Sequence, residues 1–491
     1  MRFFLIVLLL TIITYHAEAA DAPLSLSLKE AIRMGVEKNL EVRAELYNPA
    51  QFEADINRGQ AIYDPTLAIQ TSYTDSKSPV TTTGGGTNNS QSFLLNSSLN
   101  RLFWTGGTAA ITFNNSHIGI SAPPPSSLGN YWQSDLAASF TQPLLKNAGR
   151  EATEIVIGVA RLSKFASIEK FRTRLLNTVA GVKAEYLKLY SLREQLNVRK
   201  ISLDLSNKIL LETKARVKAG VLPAMEILNA EFGSSSREKD LIDAEKAVRD
   251  QEDVLRLMLQ LGNSGEILIT DVPDRLPIDI SEDESRKRAF SRPDITEQKR
   301  NLEMEELKTR VFSNKTSPDL SLTGKVGLTG LDRTFDKAAS FDNPYWSLGL
   351  NFSYPLGNGA SDNDYRKSRL KVEQIALQIR SLEEGAANEV KAAIRGVTTS
   401  FKQMDVADRG KSFAEERLRA FTKKNEVGLA TTKDVLDVEN DLALARNNQI
   451  AAVVNYNNAI ISLWKATGEL LEREGIHVVE NDADKLYKNI R

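Results

Sequence analysis

The chain has 491 residues, no cysteine, three histidines and a formal net charge of −1. The lack of cysteine excludes disulfides and thiolate metal sites, and the near-neutral charge gives no reason to expect a nucleic acid partner. With so few histidines and no recognisable nucleophile motif, histidine-based acid–base or metal chemistry is not expected. We therefore expect no enzyme, no cofactor and no metal site.

The first 19 residues have the pattern of an export signal. A basic start is followed by the apolar run Phe3 to Ile13 and then by Ala17-Glu18-Ala19, a small-x-small cleavage pattern. The alternative, a transmembrane anchor, would need about 20 apolar residues. The sequence predicts a cleaved signal peptide and a mature chain without a membrane-spanning helix.

Two long segments without proline, 144–222 and 356–491, indicate long helices. A helix of about 70 residues in the first segment would span roughly 105 Å, more than a compact domain needs. Apolar residues recur there every seven positions, at Ile168, Leu175, Val182, Leu189, Leu196, Leu203, Leu210 and Val217. A sustained seven-residue repeat predicts helices packed side by side in a supercoil.

Each helical segment is interrupted once by glycine, at Gly220 and at Gly428. A glycine in the left-handed conformation ends a helix, and Thr431 or Thr432 can cap the next one. Both segments are therefore predicted to be helical hairpins. Asp434 and Asp437 follow the second turn and, being three residues apart, project from one helix face.

Three landmarks occur twice in the same order, which predicts two internal repeats. They are Pro65 and Pro318, Pro143 and Pro355, and Gly220 and Gly428. The first two prolines of a repeat are 78 residues apart in one half and 37 in the other, so the first repeat carries an insertion. The Gly-, Ser- and Asn-rich residues 79–128 are its expected place, as an extracellular extension or an added hairpin.

Alternating apolar and polar residues between the landmarks predict four strands of about ten residues, the length of a tilted transmembrane strand. The clearest runs from Trp346 to Tyr354. Each strand taken alone also fits an ordinary sheet with one wet face. Transmembrane barrels begin at about eight strands, and an open edge in lipid leaves backbone groups unpaired. If the strands enter a membrane, several chains must therefore pool them.

The chain resembles the TolC-like outer-membrane efflux protein family over roughly residues 22–470. The likeness rests on the repeated Pro-Leu pairs at 143–144 and 355–356, both hairpin glycines, and the stretch Val427 to Thr431 followed by Asp434-Val435-Leu436-Asp437. It implies a homotrimer in the outer membrane of a Gram-negative bacterium. Its fold would be mixed α/β: a 12-stranded transmembrane β-barrel, four strands per chain, continuing into a long periplasmic α-helical barrel. It also implies docking to a periplasmic adaptor and an inner-membrane pump.

The resemblance assigns two sets of residues. The closed periplasmic aperture would carry Asp434, Asp437 and Glu226, the last in place of the family's usual aspartate. The adaptor would contact the tips of the hairpins, namely Gly220, Val221, Leu222, Val427, Gly428, Leu429, Ala430 and Thr431. The chain departs from the family at Pro223 and Ala224, which replace a polar tip, and at Ala430, where relatives can have a basic gating residue.

These patterns divide the chain into five predicted parts. They are a signal peptide (1–19); repeat 1 (20–262), with strands near 64–74 and 131–142, the insertion 79–128 and a helical hairpin 146–262; a linker (263–281); repeat 2 (282–470), with strands near 318–329 and 345–355 and a helical hairpin 362–470; and a C-terminal tail (471–491).

The predicted function is a passive exit duct of a tripartite efflux or type I secretion system. The alternative is a periplasmic adaptor or coiled-coil scaffold without a pore, which would share the helical hairpins but lack the four alternating strands. Cargo stays open among drugs, metals, other small molecules and proteins, because the pump mostly selects it.

Overall fold

The computed structural model describes residues 23–79, 87–120, 128–262, 265–478 and 481–489. The predicted signal peptide lies outside these residues. The chain divides into two compact units: the first contains residues up to Glu45, Phe171–Pro293 and Glu383–Val478, and the second contains Leu46–Lys170, Asp294–Leu382 and the residues after Val478.

Helices dominate the described chain. Their bounds are α1 Leu28–Lys38, α2 Leu40–Gln60, α3 Arg150–Thr153, α4 Ile155–Lys218, α5 Met225–Leu259, α6 Glu282–Ala289, α7 Pro293–Lys315, α8 Phe335–Ala338, α9 Gly359–Glu426, α10 Thr432–Thr467, α11 Leu470–Arg473 and α12 Asn481–Asn489, with a 3-10 turn at Ala61–Tyr63. The two longest, α4 and α9, have 64 and 68 residues, and each is followed by a shorter partner across a glycine turn. No helix in the described ranges is long and apolar enough to cross a membrane.

Within the described residues, eight strands form two sheets. Their bounds are β1 Leu24–Leu26, β2 Thr66–Pro79, β3 Thr87–Leu102, β4 Thr108–Ile120, β5 Asn130–Pro143, β6 Ile267–Ile269, β7 Asp319–Asp332 and β8 Asn343–Ser353. The short β1 and β6 pair in parallel, and the other six form one antiparallel sheet in the order β2-β3-β4-β5-β7-β8. In the single chain, β2 and β8 are the two edges of that sheet.

The six-stranded sheet has one apolar face and one polar face. Residues that pair directly on neighbouring strands point to the same face of the sheet. A row of such pairs therefore shows which side chains line that face. One row is Leu67–Leu99–Ile111–Ala138–Val326–Trp346. A row on the opposite face is Gln70–Asn96–Asn114–Asp135–Thr329–Asn343. The apolar face is largely uncovered in the chain, with Ile69 67% and Trp346 77% exposed.

The sheet corrects the predicted strand count. It contains six strands where four were predicted, because residues of the insertion form β3 and β4. The added-hairpin alternative is therefore the one the structure supports, although residues 80–86 and 121–127 of the insertion lie outside the described ranges. The four-strand count was wrong because Ser, Thr and Asn, which are frequent in β3 and β4, suit an extracellular loop and a polar strand face equally well.

On α4, the seven-residue pattern coincides with fully buried residues in the middle of the helix but not near its end. Leu175, Val182 and Leu189 are at most 2% exposed, whereas Leu203 and Leu210 are half-buried. On α9 and α10, Val397, Met404, Val453, Tyr456 and Leu463 form a separate buried cluster. Apolar packing within one chain therefore weakens toward the glycine turn that ends α4.

The β1–β6 pair is held against α4 by Tyr186. The Tyr186 hydroxyl donates to the Leu26 carbonyl at 2.9 Å, and the Leu28 amide donates to Asp271 Oδ2 at 2.5 Å. Burial raises the pKa of Tyr186 to about 12, so its hydroxyl stays a donor at physiological pH. Residues at the start of the described chain are thus tied to the segment that follows α5.

Candidate functional site: the two hairpin tips

Both hairpins turn through the same backbone motif. Helix α4 ends at Lys218 and α9 at Glu426, and two residues later Gly220 and Gly428 have φ values of +77° and +76°. The Gly220 amide donates to the Val217 carbonyl at 2.9 Å and the Val221 amide to Arg216 at 2.9 Å. Gly428 donates to Asn425 at 3.1 Å and Leu429 to Lys424 at 2.8 Å. These paired bonds define a Schellman motif, which satisfies the last carbonyls of each helix.

The tips expose apolar side chains. Val221, Val427 and Leu429 are 69%, 71% and 78% exposed, while Leu222 and Ala430 are half-buried. The glycines and Thr431 are also exposed. The eight residues predicted to contact an adaptor therefore form two small surfaces, each centred on one turn. Exposed apolar side chains at the end of a helical hairpin suit contact with another protein better than contact with water.

The second tip is capped by Thr431. Its hydroxyl accepts from the Asp434 amide at 3.1 Å, and Asp434 Oδ2 accepts from the Thr431 amide at 2.8 Å and from the Thr431 hydroxyl at 2.7 Å. This reciprocal pattern is a capping box, with aspartate in the usual place of glutamate. Hydrogen bonding by Thr431 lowers the pKa of Asp434 below its ordinary value of 3.8. Asp434 is therefore ionised at neutral pH and also stabilises the start of α10.

Asp437 and Glu226 differ from Asp434 in their surroundings. Asp437 is exposed, and no hydrogen bond or ion pair among the described residues involves it. Glu226 lies in the first turn of α5, and its Oε2 atom is buried without a hydrogen-bond partner in the described chain. The structure places Asp434 and Asp437 one turn apart on α10, and no described contact joins Glu226 to either.

The tips contact each other through residues that the sequence did not single out. Arg216 Nη1 donates to the backbone carbonyl of Asn425 at 3.0 Å and to its Oδ1 at 3.3 Å. The Asn425 amide nitrogen donates in turn to the Ala430 carbonyl at 2.9 Å. Arg216 thus joins the last turn of α4 to the last turn of α9. The available signal was an arginine and an asparagine each placed just before a helix-ending glycine.

A buried ion pair joins the hairpins further from the tips. Arg237 on α5 pairs with Glu439 on α10 at 2.7 Å, with the side chains 13% and 5% exposed. Ser202 on α4 donates to the second Glu439 oxygen at 2.5 Å, and Arg237 also donates to the Leu436 carbonyl at 2.9 Å. A glutamate between Val438 and Leu442, in the apolar stripe of α10, was the sequence signal for this site.

No group of three or more His, Asp or Glu residues in the described ranges is arranged to hold a metal ion. The tips offer exposed apolar side chains, the exposed carboxylate of Asp437 and hydrogen bonds between the hairpins. Such a surface can bind a protein or attract cations.

Comparison with known proteins shows a similarity to outer-membrane efflux proteins. A family described as "Outer membrane efflux protein" matches residues 289–469. The pyoverdine export outer membrane protein OpmQ of Pseudomonas aeruginosa is 25% identical over 311 residues, 60% of this chain and 61% of OpmQ. The outer membrane efflux protein BepC of Brucella suis biovar 1 is 22% identical over 344 residues, 68% of this chain and 73% of BepC. The CmeC outer membrane channel of Campylobacter jejuni has a similar fold, with a TM-score of 0.66 at 14% identity over 94% of this chain and 89% of that one.

The chain is similar to outer-membrane efflux proteins, as the predicted resemblance to the TolC-like family implies. Its mixed α/β fold is that of solved outer-membrane channels, and the predicted resemblance and the predicted outer-membrane location are confirmed. These relatives are outer-membrane efflux and export proteins, which favours the predicted exit duct over the adaptor alternative.

Proposed function

We propose that the protein is a passive exit duct of a tripartite efflux or type I secretion system, assembled from three copies. The observation that carries the proposal is a sheet with one uncovered apolar face and one polar face, in the same chain as two helical hairpins with apolar tips. A membrane barrel needs the first feature, because lipid meets one face and water the other. A duct that docks to a partner protein needs the second feature, because the exposed apolar tips of the hairpins provide a surface for that contact.

Several copies are required because one chain cannot close the sheet. The edges β2 and β8 leave backbone donors and acceptors unpaired, at several kcal/mol for each group in lipid. Six strands are also fewer than the about eight of the smallest transmembrane barrels. In our proposal β2 of one copy pairs with β8 of the next, and the half-buried seam residues of α4, such as Leu203 and Leu210, pack against a neighbour. The count of three, and the two internal repeats, come from the family resemblance.

The tips would serve two roles in the trimer. Gly220 to Leu222 and Val427 to Thr431 would meet a periplasmic adaptor, linking the duct to an inner-membrane pump. Asp434, Asp437 and Glu226 would ring the periplasmic aperture. Asp437 is the simplest candidate for a pore charge, because it is exposed and serves no helix cap.

The membrane assignment is tested by fractionation and by electrical recording. We expect the mature protein in the outer-membrane fraction, extracted only by detergent, as a trimer that opens conducting pores in planar bilayers. A soluble periplasmic species without pore activity would overturn the proposal and restore the adaptor alternative.

The aspartate ring is tested by replacing both carboxylates. Crowded carboxylates attract multivalent cations, so Asp434→Ala with Asp437→Ala should weaken block by divalent cations from the periplasmic side and reduce cation preference. The trimer should persist, since its contacts lie in the strands and helical seams. Thr431→Ala is the matched control, because it removes the cap of α10 and keeps both charges. If the control reproduces the double variant, or if the double variant leaves selectivity and block unchanged, the aspartates are only helix-start residues.

A further inference from the structure

The inserted hairpin β3–β4 obeys the same face alternation as the rest of the sheet. Leu99 and Ile111 pair with each other in the apolar row, and Ser98 pairs with Thr112 on the opposite face. The polar row likewise continues through Asn96 and Asn114. A hairpin projecting into water from the end of a barrel would have no reason to keep one face apolar in register with its neighbours.

The hairpin also crosses the full height of the sheet. At one end Thr87 pairs with Pro79, and at the other Asn100 pairs with Thr66. Strands β3 and β4 have 16 and 13 residues, compared with about 9–11 for a tilted strand that spans a bilayer. Each is therefore long enough to be a membrane strand.

The turn between β3 and β4 is fixed at the end of the sheet where β5 leads into α3 and α4. The Gly149 amide donates to the Thr105 carbonyl at 3.0 Å, and the Thr105 hydroxyl donates to Gln142 Oε1 at 2.8 Å. A Cβ atom on Gly106 would lie 2.5 Å from the Asn147 carbonyl oxygen. The turn that joins β3 to β4 is therefore packed at the end of the sheet where α3 begins. From this turn, both strands extend along the sheet to its opposite end.

We infer that β3–β4 is part of the membrane-spanning wall, with its apolar face against the hydrocarbon of the outer membrane. This inference rests on the proposed function. Each protomer then contributes six strands, and a trimer closes an eighteen-stranded barrel in place of the twelve-stranded one that the family resemblance implies. Barrel diameter grows roughly linearly with strand number, so the outer-membrane opening would be about half as wide again. The wall facing the opening is lined mainly by Ser, Thr, Asn and Gln side chains.

Paired single-cysteine variants test this placement, and the chain has no native cysteine to interfere. Ile111→Cys and Thr112→Cys probe the inserted hairpin on opposite faces. Leu350→Cys and Asn351→Cys provide the same contrast on β8, a strand predicted from the sequence alone. Each variant carries a nitroxide label in the trimer reconstituted in bilayers, and native mass spectrometry counts the copies.

We expect labels at positions 111 and 350 to collide several-fold more with oxygen, which partitions into lipid, than with a water-soluble nickel chelate. Positions 112 and 351 should show the reverse. Labels at 350 and 351 could show opposite accessibility while labels at 111 and 112 both collide with the chelate. In that case the hairpin lies outside the bilayer, and the inference fails while the proposed function stands. If 350 and 351 do not alternate, the sheet is not a membrane wall and the proposed function fails with it.

Discussion

In both hairpins the outgoing helix ends at a left-handed glycine, yet only the second returning helix begins with a side-chain cap. At the second tip Thr431 and Asp434 satisfy each other's backbone amides. At the first tip Ala224 precedes α5 in a helical conformation, with φ −57° and ψ −28°, and provides no side-chain cap. The helix stop is therefore common to both tips, whereas the helix start differs.

At the first tip only the backbone forms the turn, whereas at the second tip the side chains of Thr431 and Asp434 also stabilise it. The first amides of a helix have no partner inside it, and in α5 no N-cap side chain compensates for that. The first turn of α5 should therefore open more readily than that of α10. If the tips move during function, the first should be the more adaptable one.

The largest effect is expected where the two hairpins are joined. Arg237→Ala would leave Glu439 buried without its cation, a change that costs about 3–5 kcal/mol in comparable buried pairs. Denaturant unfolding in detergent, followed by helical circular dichroism, measures the loss. Lys239→Ala is the control, because its partner Asp243 is solvent-exposed and such pairs contribute about 0–1 kcal/mol. Equal effects from the two variants would show that the buried pair does not hold the hairpins together.

The next effect tests the shared turn. No atom lies within 4 Å of a Cβ added to Gly220 or Gly428, so the cost of alanine there is the left-handed backbone alone, roughly 1–2 kcal/mol. We expect similar losses from Gly220→Ala and Gly428→Ala in thermal unfolding. Gly410→Ala, inside α9 and equally free of neighbours, should instead stabilise by about 1 kcal/mol. A marked difference between the two tip glycines would contradict a common turn.

The cap tests the difference directly. Thr431→Ala should cost about 1 kcal/mol and speed amide exchange in the first turn of α10. Ala224→Thr at the first tip should gain almost nothing, because its helical backbone does not match the extended conformation of a capping residue. Hydrogen exchange read by mass spectrometry resolves the two turns. A clear gain of protection from Ala224→Thr would mean that the two tips can be made alike by one side chain.

The smallest effect is a pH dependence of that cap. Because the pKa of Asp434 is lowered in the folded protein, its stabilising contribution is present above the ordinary value and is lost as the pH falls through the folded value. The stability difference between wild type and Thr431→Ala should therefore shrink at pH values well below 3.8. An unchanged difference in acid would assign the effect of Thr431 to its hydroxyl alone.

How far the sequence predicts this protein depends on how local each feature is. The alternation from Trp346 to Tyr354 corresponds to β8, and the glycines at 220 and 428 have the predicted left-handed conformation. Both depend on a few adjacent residues. The capping role of Thr431 was one of two local alternatives, and backbone geometry decided it.

What the sequence did not predict depends on contacts between distant residues. Arg216 and Asn425 are 209 positions apart, and Arg237 and Glu439 are 202 apart, so no spacing rule connects them. Strands β3 and β4 correspond to the added hairpin, one of the two alternatives predicted for residues 79–128, and polar residues alone do not distinguish a hairpin that joins the sheet from a loop outside it. Their role emerges only from the register with Leu67, Ala138 and Val326.

The parallel pairing of β1 with β6 has a consequence for the order of folding. Leu24 pairs with Ile267, so these strands join residues 243 positions apart, with both α4 and α5 between them. A chain that enters its compartment from the N-terminus presents β1 long before its partner arrives. The hairpin of α4 and α5 can form meanwhile from local contacts, whereas β1 must wait, since distant pairings close slowly. A truncation that stops before Ile267 would leave β1 without its partner strand, and the Leu26 carbonyl, which accepts a hydrogen bond from Tyr186, would no longer be held in place by that pairing.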